Sequence, residues 1–220
     1  MTAGSWILVG LSHRTAPLAV RERYSLGEDA VGSVGRDLLE TGLSEVVILS
    51  TCNRTEVYGV LADGREPGAV AGAIRSVLAG GPEQDVEELA DHGYDLDGID
   101  VVRHLFRVAS SLDSLVLGEP QIIGQTKAAL RMARDADMVG PELSRLFERT
   151  FKVAKGVRTD TAVGAGRVSV GSVAVDLVRQ VFGDLSRSEI LLLGAGKMAA
   201  AVAKDLDSAG AKRAVVANRT

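Results

Sequence analysis

Cysteine is nearly missing from this chain of 220 residues: Cys52 stands alone. One thiol excludes an internal disulfide and a multi-cysteine zinc site, so no metal is expected. Any thiol chemistry must take place at that position. Histidine is almost as scarce, limited to His13, His92 and His104, so a Cys–His pair has few candidate members. Aromatics make up only 4% of the residues, proline occurs five times, and no apolar run approaches the roughly 18 residues that a membrane helix needs. Membrane-spanning, collagen-like and disordered readings therefore fall together. No basic segment precedes the strand-like start at Trp6, so a secretory signal is not expected and the cytoplasm is the default. A formal charge of −4 also excludes a polycation that holds nucleic acid by bulk charge.

What is present is the material of a globular core: 46% apolar and 25% charged residues, at a length suited to one large domain or two small ones. The charge is uneven. Glu83, Asp85, Glu87, Glu88, Asp91, Asp95, Asp97 and Asp100 form a stretch without Lys or Arg, whereas Lys127 to Arg158 is rich in cations. Short apolar segments predict strands over Trp6–Leu11, Val46–Leu49 and Thr55–Leu61, with helices near Leu18–Tyr24 and Asp29–Leu39. Helical periodicity then covers Pro67–Ala79, Val101–Leu112, Pro120–Asp137 and Pro141–Thr159. Val163-Gly164-Ala165-Gly166 reads as a hinge, followed by a helix from Ser169 to Val181. Glu189–Leu193 is a continuous apolar strand of the kind covered on both faces, and Arg213–Ala217 is another strand.

Gly194-Ala195-Gly196-Lys197-Met198-Ala199 lies between that buried strand and an alanine-rich helix. The first glycine permits a tight turn, the second lets a pyrophosphate approach the backbone, and Ala199 permits close helix–strand packing. The helix N-terminus offers free N–H groups and a positive dipole end to the phosphates. An NAD site places a carboxylate about 20 residues on. Here the second strand runs into Asn218-Arg219-Thr220, where a guanidinium suits a 2′-phosphate, so NADPH is favoured.

Cys52 lies in a tight polar turn, Ser50-Thr51-Cys52-Asn53-Arg54, at a strand end. The expectation is that neighbouring donors and the Arg54 charge make thiolate available. Arg54 is either a clamp for a substrate carboxylate or a solvated loop charge. His104, among Val101, Val102, Leu105 and Phe106, is either a satisfied core histidine or a proton carrier. His13 has no stronger claim than turn formation, and His92 is a surface residue of the acidic run. A thiol nucleophile beside a reduced nicotinamide points to reduction of an acyl group through a thioester.

Three blocks, Gly10–Pro17, Ser50–Tyr58 and His104–Gln125, resemble the defining blocks of the glutamyl-tRNA reductase family, in that family's order. The resemblance implies an α+β catalytic, glutamyl-tRNA-binding domain over 1–161. The beginning of a Rossmann-like α/β NADPH-binding domain follows over 162–220. It implies NADPH-dependent reduction of glutamyl-tRNA to glutamate-1-semialdehyde, the first step of the five-carbon route to tetrapyrroles. By the same resemblance Cys52 is the nucleophile and His104 a histidine important for activity. Thr51, Asn53 and Arg54 belong to one substrate-binding block, and Ser114, Glu119, Pro120, Gln121 and Gln125 to another. Arg54 would grip the substrate's side-chain carboxylate, and Glu119 its α-ammonium. Gly194 to Ala199 match the cofactor loop, although Lys197 stands where an acidic or neutral residue is expected. Family members are homodimeric and pass product toward a downstream aminomutase. Two strands do not complete a doubly wound sheet, so the chain is expected to be the front part of a longer protein. A non-catalytic tRNA-binding or regulatory fragment of the same fold is the competing reading. Finally, Arg145, Arg149 and Lys152 share one helical face, either as a phosphate-binding stripe or as a solvated face paired with Glu142 and Glu148.

Overall fold

The computed structural model describes residues 6–164 and 170–218. The chain divides into two compact units, Met1–Gly164 and Ala165–Thr220. In the first, β1 (Trp6–Ser12) is followed by α1 (Leu18–Arg23), α2 (Glu28–Glu40), β2 (Leu43–Thr51) and β3 (Arg54–Leu61). Then come α3 (Pro67–Ala79), α4 (Glu83–His92), β4 (Tyr94–Asp97), α5 (Gly98–Ala109), α6 (Gln121–Asp135) and α7 (Pro141–Asp160). The four strands pair in the order β2-β3-β1-β4, every pairing antiparallel. Helices cover both faces, which is why β1 and β3 are buried along their whole length, β1 as an apolar run with little alternation.

Close approach of β1 and β3 fixes one residue type. A Cβ on Gly10 would lie 2.6 Å from the Thr55 carbonyl oxygen and 2.9 Å from the Glu56 Cα, so only glycine lets these strands meet at that register.

The longest helix, α7, is anchored to the sheet by a borrowed cap. Pro141 at its first position has no N–H to satisfy. The buried Glu45 carboxylate of β2 accepts the next two, from Glu142 (3.0 Å) and Leu143 (2.7 Å). A negative charge also sits favourably at the positive end of the helix.

Several sequence expectations need correction. The acidic stretch, to which the sequence reading assigns no element, forms α4 and β4. Only Leu89 of α4 is buried, so its apolar signal is thin, and β4 is a four-residue edge strand. Helix α5 runs from Gly98 to Ala109 instead of Val101 to Leu112, because the chain turns at Ser111, whose φ of 60° is left-handed. Pro120 is the N-cap of α6, not part of it, and α6 stops at Asp135, two residues before left-handed Asp137.

The second unit comprises α8 (Val170–Phe182), β5 (Glu189–Leu193), α9 (Lys197–Ser208) and β6 (Arg213–Ala217), with β5 and β6 parallel. The hinge expected at 163–166 and the helix start at Ser169 fall partly or wholly outside the described residues. Val175, Leu185 and Leu206 form a small core on which Ile190 and Leu192 pack. The expectation that β5 is covered on both faces is overturned: Leu191 and Leu193 are 60% and 79% exposed. Among the described residues of this unit, the two helices pack on the Ile190 and Leu192 side of the two-stranded sheet.

Replacing Glu45 with Ala should lower the unfolding free energy by about 1–3 kcal/mol, since the Leu143 N–H loses its acceptor in a buried setting. Urea denaturation followed by far-ultraviolet circular dichroism measures it, and an unchanged midpoint would show that the cap is dispensable.

Candidate functional site

The β2–β3 hairpin has a two-residue loop, with Thr51 paired to Arg54 across it. Two-residue hairpins usually require left-handed residues, yet neither Cys52 nor Asn53 has a positive φ. The side chain of Thr51 holds the turn instead. Its hydroxyl oxygen accepts N–H bonds from Asn53 and Arg54, both at 3.2 Å. The His13 N–H donates to the Asn53 carbonyl at 2.8 Å. From α1, an Arg21 guanidinium N–H reaches both the Cys52 carbonyl and the Asn53 side-chain oxygen at 3.4 Å. Cys52 itself is exposed. The thiol therefore faces solvent from a turn braced on three sides.

Arg54 does not remain in the loop. It is the first residue of β3, and the pleat puts Arg54, Glu56 and Tyr58 on one face. Arg54 is only 2% exposed, so it is not a solvated loop charge. It donates to the Glu56 carboxylate at 2.6 Å, and to both the carbonyl and the carboxylate of Asp113. Asp113 also pairs with Arg14 Nε at 3.0 Å.

Glu56, with 0% exposure, is the hub. Besides Arg54 it accepts bonds from Tyr58 (2.6 Å), Tyr94 of β4 (2.6 Å) and His104 Nε2 of α5 (2.8 Å). Burial alone would push this carboxyl up, but the Arg54 charge and the bonds from His104 and Tyr58 outweigh it and hold it down at about 2. The Tyr58 and Tyr94 hydroxyls are pushed up, by burial first and then by the Glu56 charge. Because Glu56 is an acceptor only, His104 places its proton on Nε2 and leaves Nδ1 as the free lone pair when neutral. The His13 imidazole is shifted down, by burial and then by Arg54, and its Nδ1 is buried without a partner.

The segment between α5 and α6 folds back over this network. Left-handed Ser111 donates its hydroxyl to the Glu119 carbonyl, and the Gly118 N–H donates to the Ser111 carbonyl at 3.1 Å. Glu119 is buried, which raises its carboxyl; a bond from Ser114 and the Arg54 charge pull the other way. Arg54, Ser114 and Glu119 are thus within electrostatic reach of one another, and His104 joins them through Glu56. Pro120, Gln121 and Gln125 follow as the cap and first turns of α6, with Gln125 half-buried.

In the second unit the glycine-rich segment connects β5 to α9. Gly194 is left-handed (φ 102°), its N–H bonds the Ala217 carbonyl at 2.8 Å, and Gly196 is the N-cap of α9. No side chain caps that helix, and a Cβ on either glycine would meet nothing within 4 Å. Free N–H groups and open space are what a pyrophosphate needs. Ala195 is exposed, while Lys197, Met198 and Ala199 form the first turn of α9. Asn218 follows β6; Arg219 and Thr220 lie outside the described residues.

A family model described as "Glutamyl-tRNAGlu reductase, N-terminal domain" matches residues 9–161. The chain belongs to the glutamyl-tRNA reductase family. A second model, for shikimate / quinate 5-dehydrogenase, matches residues 176–220. Glutamyl-tRNA reductase of Syntrophotalea carbinolica is 44% identical over 217 residues, and that of Pseudomonas entomophila 46%. These alignments cover 98% of this chain and 48% and 50% of the relatives. The structure aligns with that of glutamyl-tRNA reductase from Methanopyrus kandleri at a TM-score of 0.65 and 33% identity, over 99% of this chain and 50% of that one. The chain therefore spans about half the length of the relatives it matches. Its fold is α+β, followed by the start of a nucleotide-binding region of dehydrogenase type.

Sequence reasoning missed Glu56, Tyr58, Tyr94, Asp113, Arg21 and the placement of His13. For Glu56 and Tyr58 a signal existed: polar residues at alternate positions of an otherwise apolar strand share one face.

Glu56→Gln should cost about 3–5 kcal/mol, because it removes the nearer of the two carboxylates that neutralise buried Arg54 and leaves only Asp113. The pH dependence is equally specific. A carboxyl depressed from 4.5 to about 2 contributes stability above pH 4.5 and loses it as pH falls toward 2. Denaturant midpoints measured from pH 5 to pH 2 should fall more for the wild type than for the Gln variant; parallel curves would refute the assignment.

Proposed function

We propose that this chain carries the thioester-forming centre of glutamyl-tRNA reductase. The observation that supports it most is the exposed Cys52 on its braced turn, beside a buried, charged network that the turn's own Arg54 enters. The Cys52 thiolate attacks the ester carbonyl of glutamyl-tRNA. The C–O bond to the ribose breaks, the ribose oxygen takes up a proton, and glutamate remains as a thioester on sulfur. His104, oriented by Glu56, takes the proton from the Cys52 thiol on its Nδ1 lone pair and hands it to the departing ribose oxygen. Burial of Glu119 is relieved when the substrate's α-ammonium lies against it. Arg54 receives the side-chain carboxylate by sharing its guanidinium with Asp113. Thr51 and Asn53 shape the turn, and Pro120, Gln121 and Gln125 line the far side of the substrate.

The family and the dehydrogenase-like region favour a nicotinamide cofactor, and the residues from Gly194 to Ala199 suit its pyrophosphate. When bound, it supplies the hydride that releases the thioester as glutamate-1-semialdehyde, the precursor of tetrapyrroles that the downstream aminomutase consumes. Asn218-Arg219-Thr220 favours the 2′-phosphate of NADPH.

Cys52→Ser should abolish covalent capture of radiolabelled glutamate from glutamyl-tRNA, read on denaturing gels; equal labelling of the variant would sink the proposal. For the cofactor, Arg219→Ala in the full-length enzyme should weaken NADPH binding by tenfold or more while leaving NADH nearly unchanged. An equal loss for both nucleotides, measured by titration calorimetry, would remove Arg219 from the 2′-phosphate site.

A further inference from the structure

A groove of about 720 Å³ runs between α6 and α7, and an apolar floor with Ile123 and Phe151 is edged by four cations: Lys127 from α6, and Lys152, Lys155 and Arg158 from α7. Among the described residues, no ion pair involves Lys127, Lys152 or Lys155. The one carboxylate in the groove, Glu148, is paired with Arg134 at 2.8 Å. It does not pair with the stripe of Arg145, Arg149 and Lys152, so the self-neutralised face that the sequence allowed does not form. Lys127 lies 5.7 Å above the ring of Phe151, which holds it at the groove floor.

The groove is also tied to the substrate-binding segment. Arg158 donates to the Gly118 carbonyl at 3.1 Å, one residue from Glu119. Gly118 itself is packed so tightly that a Cβ would come 2.3 Å from the Val163 carbonyl oxygen, just beyond α7. At 1.5 Å per residue, the groove's α7 cations, Lys152 to Arg158, span about 9 Å of helix, which matches about three phosphates along one strand of a duplex.

Building on the thioester reading above, we infer that the α6–α7 groove is a phosphodiester track for the acceptor end of the RNA whose ester enters at Cys52. Lys127, held over the Phe151 ring, together with Lys152 and Lys155 supplies point charges to the phosphates. Arg158 is a positioning residue that joins the track to the Gly118–Glu119 segment. A chain of net charge −4 thereby holds a polyanion through a local surface, without bulk positive charge.

The test is binding of fluorescently labelled tRNA(Glu) to this chain by anisotropy, from 50 to 200 mM KCl. The variant Lys127→Ala/Lys152→Ala/Lys155→Ala should bind roughly tenfold or more weakly at 0.1 M salt. Its slope of log affinity against log salt should be shallower by about 2 to 3. Arg36→Ala/Arg65→Ala/Arg103→Ala removes three exposed cations elsewhere and should stay within twofold of wild type. Replacing the three lysines with Arg should restore affinity, which separates loss of charge from loss of fold. An unchanged slope in the Lys→Ala variant, equal weakening in the Arg→Ala variant, or competition by polyglutamate as effective as by RNA would each overturn the inference. Glutamate capture by wild-type Cys52 is scored separately. Capture without groove-dependent binding removes the track and keeps the thioester; groove-dependent binding without capture does the reverse.

Discussion

One carboxylate organises the first unit. Glu56 is shut away from water, where an unpaired charge is prohibitive, and four donors from β3, β4 and α5 meet on its two oxygens. That convergence fixes more than a local bond set. Arg54 begins the strand that leaves the Cys52 turn, His104 sits on the helix that leads into the segment before α6, and Tyr94 marks the edge of the sheet. The hub therefore ties together three parts of the chain that are far apart in sequence, and it does so with directional bonds that apolar packing does not supply.

A second tier of charge completes the arrangement. Asp113 holds Arg54 from one side and Arg14 from the other. The loop after α5 is thus latched to both the end of β1 and the start of β3. Left-handed Ser111 permits the turn that brings Asp113 there, at a backbone conformation that few residues other than glycine adopt. Strain in that turn is offset by the bonds linking Ser111 to Gly118 and Glu119.

The apolar strands β1, β2 and β3, the helix starts at Pro67 and Pro141, and the strand–glycine–helix pattern after β5 were legible because each has a local cause: a run, a period or a backbone requirement. The thiol was legible by elimination, since the chain has no other. Helix α4 was not, because a surface helix with one buried leucine has almost no apolar period. Asp113 and Tyr94 were equally hidden, as their roles depend on partners 59 and 38 residues away, and no spacing rule reports contacts of that range. Strand β5 illustrates the opposite error. Its sequence is that of a doubly covered strand, yet the described elements cover only one side.

The turn that carries Cys52 has a consequence for what the position tolerates. Its shape is set by the Thr51 hydroxyl, the Asn53 carbonyl and the Arg21 guanidinium, and residue 52 contributes only backbone in an ordinary right-handed or extended conformation. The thiol is in effect an interchangeable tip on a preformed socket. Selenocysteine, serine or an unnatural nucleophile can be installed there without rebuilding the hairpin, so the chemistry at this point can be exchanged independently of the fold that presents it.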